Sequence, residues 1–150
     1  RQFPLAATYS NNLVNHESGI DDNETATPAA ISASISSAQF DIDDGDRFAF
    51  VSRILPDITF DGSTVDNPTA ILSLSPFNNS GSGVNDPTSE GGSNSGSVLR
   101  TATAPVEKYT DQLNIRVRGR QMTFKVESTG LGVLWQLGSP RIDIRADGRR

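Results

Sequence analysis

The sequence predicts an all-β protein: an antiparallel β-sandwich or sheet stack with a C-terminal meander and long polar loops. Three observations carry this. Apolar residues recur with a period of two in one short segment after another. Asn, Asp, Gly, Ser and Pro punctuate those segments at short intervals. No long stretch shows the helical period.

Residues 1–28 read as an extended arm or linker, because Asn11, Asn12, Asn15, Ser18, Gly19, Asp21, Asp22 and Asn23 crowd together there and such residues favour turns over ladders. The β domain is expected over 29–150. Ile31, Ala33 and Ile35 alternate with Ser32, Ser34 and Ser36, predicting a strand that runs towards Phe40. Asp43-Asp44-Gly45-Asp46 turns the chain into a second strand, Arg47 to Leu55, which Pro56 ends. Ile58-Thr59-Phe60 leads to an Asp61-Gly62-Ser63 turn. Thr69 to Ser75 is a strand with Ala70, Leu72 and Leu74 on one side, closed by Pro76. Residues 77–97, rich in Asn, Ser and Gly, read as a flexible loop, either disordered in solution or pinned by a partner surface, and Val98 to Thr103 resumes an extended pattern.

The last third reads as a meander. Asp111 to Arg118 and Gln121 to Glu127 flank Gly119-Arg120, which suits a two-residue type II′ turn. That turn sets Arg118 opposite Gln121, Val117 opposite Met122, Ile115 opposite Phe124 and Leu113 opposite Val126. The other face then pairs Arg116 with Thr123 and Asn114 with Lys125. Further strands follow over Val133–Leu137 and Arg141–Arg145.

A chain of 150 residues fits one domain. It opens on Arg1, which suggests a piece of a longer polypeptide. The hydrophobic fraction of 35% is low for a packed domain, so leftover surface is expected to be exposed, disordered, or buried against other copies or other parts of a parent protein. The lack of cysteine excludes disulfides and thiolate metal sites. No run of about 18 apolar residues occurs, so no membrane insertion is expected. Residues 1–100 hold 4 basic and 13 acidic side chains, whereas 101–150 hold 9 and 5. The asymmetry suggests two differently facing surfaces, and the ordinary reading is that each set of charges decorates a solvent face.

Material for catalysis is thin. His16 stands alone in the polar arm and reads as a surface histidine. No hydrolase, metalloprotease or phosphate-loop motif occurs. No catalytic residue, cofactor-binding residue or metal ligand is therefore assigned, no cofactor is expected, and the chain is read as no enzyme. Asp41-Ile42-Asp43-Asp44-Gly45-Asp46 fits either an acidic turn or a calcium loop. The twelfth position counted from Asp41 is Ser52, not the glutamate of an EF-hand, which favours the turn. Asn23-Glu24-Thr25 and Asn78-Asn79-Ser80 match the glycosylation tripeptide and carry no assigned role. Arg116, Arg118, Arg120, Arg141, Arg145, Arg149 and Arg150 invite a phosphate-binding reading, although cross-strand ion pairs are the ordinary outcome on a strand face. Trp135 alternates with Val133 and Leu137, as a core or interface residue would.

The stretches Val117 to Ser128 and Leu131 to Arg145, with the closing Asp147-Gly148-Arg149-Arg150, resemble the C-terminal end of tail proteins of tailed bacteriophages. The nearest likeness is to the tail nozzle, or tail tubular B, proteins of short-tailed phages. Asp44-Gly45-Asp46-Arg47-Phe48 and Ile54-Leu55-Pro56-Asp57 are similar too, so that about half of the chain is covered. The resemblance implies a non-enzymatic virion structural protein in the phage tail and a homo-oligomer, a hexameric ring that closes the DNA exit channel. Other tail proteins such as adaptor and fibres would be partners, and genomic DNA would pass during ejection without sequence specificity. Nozzles are much longer, so this chain would be a C-terminal fragment, and no residue role transfers. The alternative from another class is an extracellular carbohydrate-binding β module. Sugar sites use several exposed aromatics, and one Trp and two Tyr favour the structural reading. A hydrolase fragment ranks third for want of a catalytic set.

Overall fold

The computed structural model describes residues 3–42, 45–78 and 101–148. Their strands, in chain order, are β1 (Leu5–Ala7), β2 (Leu13–Asn15), β3 (Asp21–Asp22), β4 (Ala29–Ala30), β5 (Ala33–Ser36), β6 (Phe40–Asp41), β7 (Ala49–Leu55), β8 (Ile58–Thr59), β9 (Thr69–Phe77), β10 (Ala102–Glu107), β11 (Leu113–Gly119), β12 (Gln121–Ser128), β13 (Gln136–Leu137) and β14 (Arg141–Ala146). All pairings are antiparallel, and no helix occurs among the described residues. The protein is all-β, as its alternating sequence requires.

Two sheets build the body. The larger runs β10-β9-β12-β5, with β6 also paired to β12; the smaller runs β11-β7-β14. Central β9 shows why. Ala70, Leu72 and Leu74 are buried on one side while Ile71, Ser73 and Ser75 stay half-buried on the other, the alternation a pleat imposes. Ala70, Leu72, Leu74, Val106, Met122, Phe124 and Val126 of the larger sheet join Val51, Ile54 and Val117 of the smaller one in a single buried cluster. A shared core between two sheets is consistent with the expected sandwich.

The expected meander requires correction. β11 pairs with β7, Val117 opposite Val51, and not with β12. β12 pairs with β9, Phe124 opposite Leu74, and with β5 and β6 on its other side. β13 pairs with β8 and β14 with β7. The chain therefore crosses from one sheet to the other at Arg120, whose amide donates to the Phe77 carbonyl at 2.9 Å and whose carbonyl accepts from Ile42 at 3.2 Å. Alternation fixes which side chains are buried, but not which strand lies alongside. In a hairpin the apolar residues of β11 and β12 would share one wall of the core; in the crossing they face each other from opposite walls. Both arrangements satisfy the same pattern.

The glycine at the crossing serves space and not a reversal. Gly119 lacks the positive φ that the first central position of a type II′ turn needs; Gly45, Gly62, Gly132 and Gly148 have it. A Cβ at position 119 would lie 2.8 Å from Pro76 Cβ, 3.0 Å from the Gln121 carbonyl oxygen and 3.2 Å from that of Phe77.

Other boundaries differ for local reasons. Pro76 does not close β9, which continues to Phe77. It lies past the β10 ladder, which reaches only Leu74 on β9, so among the described residues the strand there is paired on one side only, where proline is tolerated. The loop expected over 77–97 lies outside the described residues from 79 onward, as do 98–100 of the extended pattern before β10. The arm expected over 1–28 holds the hairpin β1-β2 and the first strand of a second hairpin, β3-β4, whose other strand, Ala29–Ala30, lies just past that boundary. The Asp21 carboxylate accepts the Gly132 amide at 2.9 and 3.1 Å and fastens this region to the loop after β12.

A carboxylate also ties the arm together. Glu24 accepts from Thr8 Oγ1 at 2.7 Å and from Asn12 Nδ2 at 3.1 Å. The Thr8 bond, then the Asn12 bond, holds its carboxyl below the ordinary carboxylate range. A depressed folded pKa adds stability above the unfolded value and loses it as pH falls through the folded one. Thr8→Val is expected to move the Glu24 titration, followed by NMR, back towards the ordinary range. An unchanged midpoint would remove the hydroxyl as the cause.

Candidate functional site

The feature that stands out is the outer face of the β11-β7-β14 sheet. In β7, Ala49, Val51 and Ile54 point into the core and are buried. The strand's alternation, adjusted by register shifts at Asn114/Val117 in β11 and Asp143/Ile144 in β14, turns Phe50, Arg53 and Leu55 outward. The pairing then builds rows across the face. Arg141 lies beside Leu55, and Asp143 beside Arg53 with Asn114 on the other side. Arg145 lies beside Phe50 with Arg118 on the other side. Phe48 continues the row at one end, where the guanidinium carbons of Arg118 and Arg120 sit 4.1 and 4.8 Å from its ring centroid. Both are within cation–π range.

Two aspartates partly balance this face. Asp143 Oδ2 accepts from Arg53 at 2.6 Å (Nη2) and 2.7 Å (Nε). Asp147 Oδ2 accepts from Arg118 Nε, and the Asp147 carbonyl accepts from Arg118 Nη2 at 3.2 Å. Backbone bonds from Phe48 N to Gly148 O and from Asp147 N to Phe48 O, both 2.8 Å, hold Asp147 in reach. Both ion pairs are solvent-exposed by a third to a half, so each adds only about 0–1 kcal/mol. Their effect is to orient guanidinium groups. Arg116, Arg141 and Arg145 have no carboxylate partner among the described residues. The result is a positively charged surface laced with Phe48 and Phe50.

Two open depressions adjoin it. One of about 430 Å³ is lined by Phe50, Ser52, Asn114, Ile115 and Arg116. The other, of about 690 Å³, is lined by Phe50, Thr101, Ala102, Arg116, Val117, Arg118 and Asp147. They supply the hydroxyls of Ser52 and Thr101 without a base beside them, and their one carboxylate, Asp147, is engaged by Arg118. The chemistry on offer is electrostatic attraction and stacking.

The structure brings together Arg116, Arg118, Arg120, Arg141 and Arg145 of the arginines expected to matter. Arg149 and Arg150 lie outside the described residues. The expected Arg116–Thr123 and Asn114–Lys125 pairs do not form, because those residues belong to different sheets; Lys125 pairs instead with Glu127 on its own strand at 2.5 Å. His16 is exposed beside Glu17 at 3.7 Å. Of the acidic turn, Asp43 and Asp44 lie outside the described residues. Gly45, at φ 73°, donates its amide to the Ile42 carbonyl at 3.2 Å, and Asp41 accepts from Gln121 Nε2 at 2.5 Å. Among the described residues no three His, Cys, Asp or Glu side chains gather as a metal site. Asn23 Nδ2 donates to the Asp21 carbonyl; Asn79 and Ser80 lie outside the described residues. Trp135 is half-buried against the core, its Nε1–H donating to Ser128 Oγ at 2.9 Å. Phe48, Phe50 and Arg53 are the members that sequence reading misses. Their signal is the alternation with Ala49 and Val51, obscured because β7 is apolar on both sides. No helix among the described residues is long and apolar enough to cross a membrane.

No protein-family model matches the chain, and no curated protein matches it.

Proposed function

We propose that the protein is a non-enzymatic structural component of a bacteriophage tail, of the nozzle or tail tubular kind, that joins its neighbours through surfaces and not through a cleft. The observation that carries this reading is the outer face of the β11-β7-β14 sheet. Among the described residues, six arginines stand there against Asp143 and Asp147, on a sheet interleaved with Phe48 and Phe50. Such a face suits an acidic partner surface. Residues 1–100 of another copy, with 13 acidic against 4 basic side chains, supply one, and head-to-tail contacts of that kind close rings. The same face would let DNA slide past without reading its bases. Adaptor and fibre proteins would be further neighbours in the virion.

Substitution of Arg116, Arg141 and Arg145 by Glu is expected to abolish incorporation into particles while leaving the circular dichroism of the isolated chain unchanged. Chain-specific antibodies in electron micrographs would label the tails of wild-type particles. Unaltered incorporation of the triple variant, or the absence of label on tails, would sink the proposal.

A carbohydrate-binding module is the second reading, because both tyrosines, Tyr9 and Tyr109, are exposed and exposed aromatics stack on sugars. A glycan array separates the two: selective binding lost on Tyr9→Ala or Tyr109→Ala favours the module.

A further inference from the structure

The two main sheets present four edges, and three are protected by charge, proline or a bulge against pairing with another strand. β10 carries Pro105 and Glu107; β11 has a register shift with Arg116 and Arg118; β14 carries the charges of Arg141, Asp143 and Arg145. Charges, proline and bulges are the devices by which sheets blunt their edges. β5 has none. It reads Ala33-Ser34-Ile35-Ser36, and no charged residue or histidine occurs anywhere from 25 to 40. It pairs with β12 on one side and, among the described residues, with no strand on the other.

The core is also open at this edge. Ile35 lies opposite Val126, which is fully buried, yet Ile35 remains 49% exposed. An inward-facing isoleucine with that exposure marks a sheet that stops one strand short. The next charges inward, Lys125 and Glu127, neutralise each other.

From this we infer that β5 is a self-pairing edge, at which two copies of the chain join antiparallel and the larger sheet runs continuously across both. The occupant is a second copy because the strand is complementary to itself. A two-fold pairing centred on Ile35 sets Ile35 against Ile35 and Ser34 against Ser36; one centred on Ser34 sets Ala33 against Ile35. Either way apolar meets apolar and hydroxyl meets hydroxyl, with no like charges opposed. The inference does not rest on the tail reading.

Sedimentation of the full chain across a dilution series tests it. The expected mass is twice the 16.0 kDa of one copy. Ser34→Lys with Ser36→Lys places lysines opposite one another and is expected to weaken association at least about tenfold, with unchanged circular dichroism. Mixing that variant with Ser34→Glu/Ser36→Glu should restore the double mass. A single-copy mass at every concentration overturns the inference, as does a dimer indifferent to the lysines or open-ended fibres in place of a closed pair. A larger ring that survives the lysines overturns the edge pairing and leaves the tail reading standing.

Discussion

Replacing Gly119 with alanine is expected to destabilise the protein by about 3 kcal/mol or more. The added Cβ would meet Pro76 Cβ at 2.8 Å, with the Gln121 and Phe77 carbonyl oxygens at 3.0 and 3.2 Å. Two of these three neighbours are backbone, and the Phe77 oxygen already accepts the Arg120 amide. Retreat is therefore costly, and the effect sits at or above the usual overpacking range of about 1–3 kcal/mol. Denaturant unfolding measures it. A double-mutant cycle with Pro76→Gly tests the cause, since removing that Cβ should relieve part of the loss, with a coupling of about 0.5–3 kcal/mol. Zero coupling would mean that β9 does not press on the crossing, and the placement of β11 and β12 in separate sheets would be wrong.

Leu74→Ala is the second large effect, at about 2–5 kcal/mol. Leu74 is fully buried at the middle of β9, opposite Ala102 on β10 and Phe124 on β12. Truncation removes apolar contacts and leaves a void between two neighbouring strands that are themselves held by ladders, so the site has little freedom to collapse. With domain stabilities of about 5–15 kcal/mol, the loss is a large share of the total. A chain of this size should melt lower by roughly 6–12 °C for a 3 kcal/mol change. Ile35→Ala, at an exposed edge position, is the control and should change the isolated subunit little. Equal shifts for Leu74 and Ile35 would contradict the assignment of core and edge.

What can be read in advance depends on the kind of information involved. The buried side of β9 follows from Ala70, Leu72 and Leu74, and the inward side of β12 from Met122, Phe124 and Val126, because burial is a property of single residues in a period of two. Partnership is a relation between distant segments. Nothing in Leu113 to Gly119 distinguishes β7 from β12 as its neighbour, since both offer apolar residues at matching intervals. Gly119 misleads because a glycine between two alternating runs serves equally for a reversal or for close approach, and only its φ and the position of Pro76 tell them apart. The arginine face is half visible. Arg116, Arg118, Arg141 and Arg145 stand out by type and spacing, but their meeting on one surface requires β7 to lie between β11 and β14. Phe48 and Phe50 read as strand formers in the sequence, which gives no sign that the Phe48 ring lies beneath two guanidinium groups.

The crossing at Arg120 bears on how the chain reaches its native state. Each of the two strands it joins must find a partner far back along the polypeptide: Val117 waits for Val51 and Phe124 for Leu74. Meanwhile the two segments, held side by side by a short link, match one another well enough to zip together. A local hairpin there would form in about 1–10 μs, whereas non-local β pairing takes milliseconds to seconds. The earliest structure expected in this region is therefore a decoy hairpin. Such a hairpin would have to dissolve before the sheets assemble, because the close approach of Pro76 to position 119 exists only in the crossed topology.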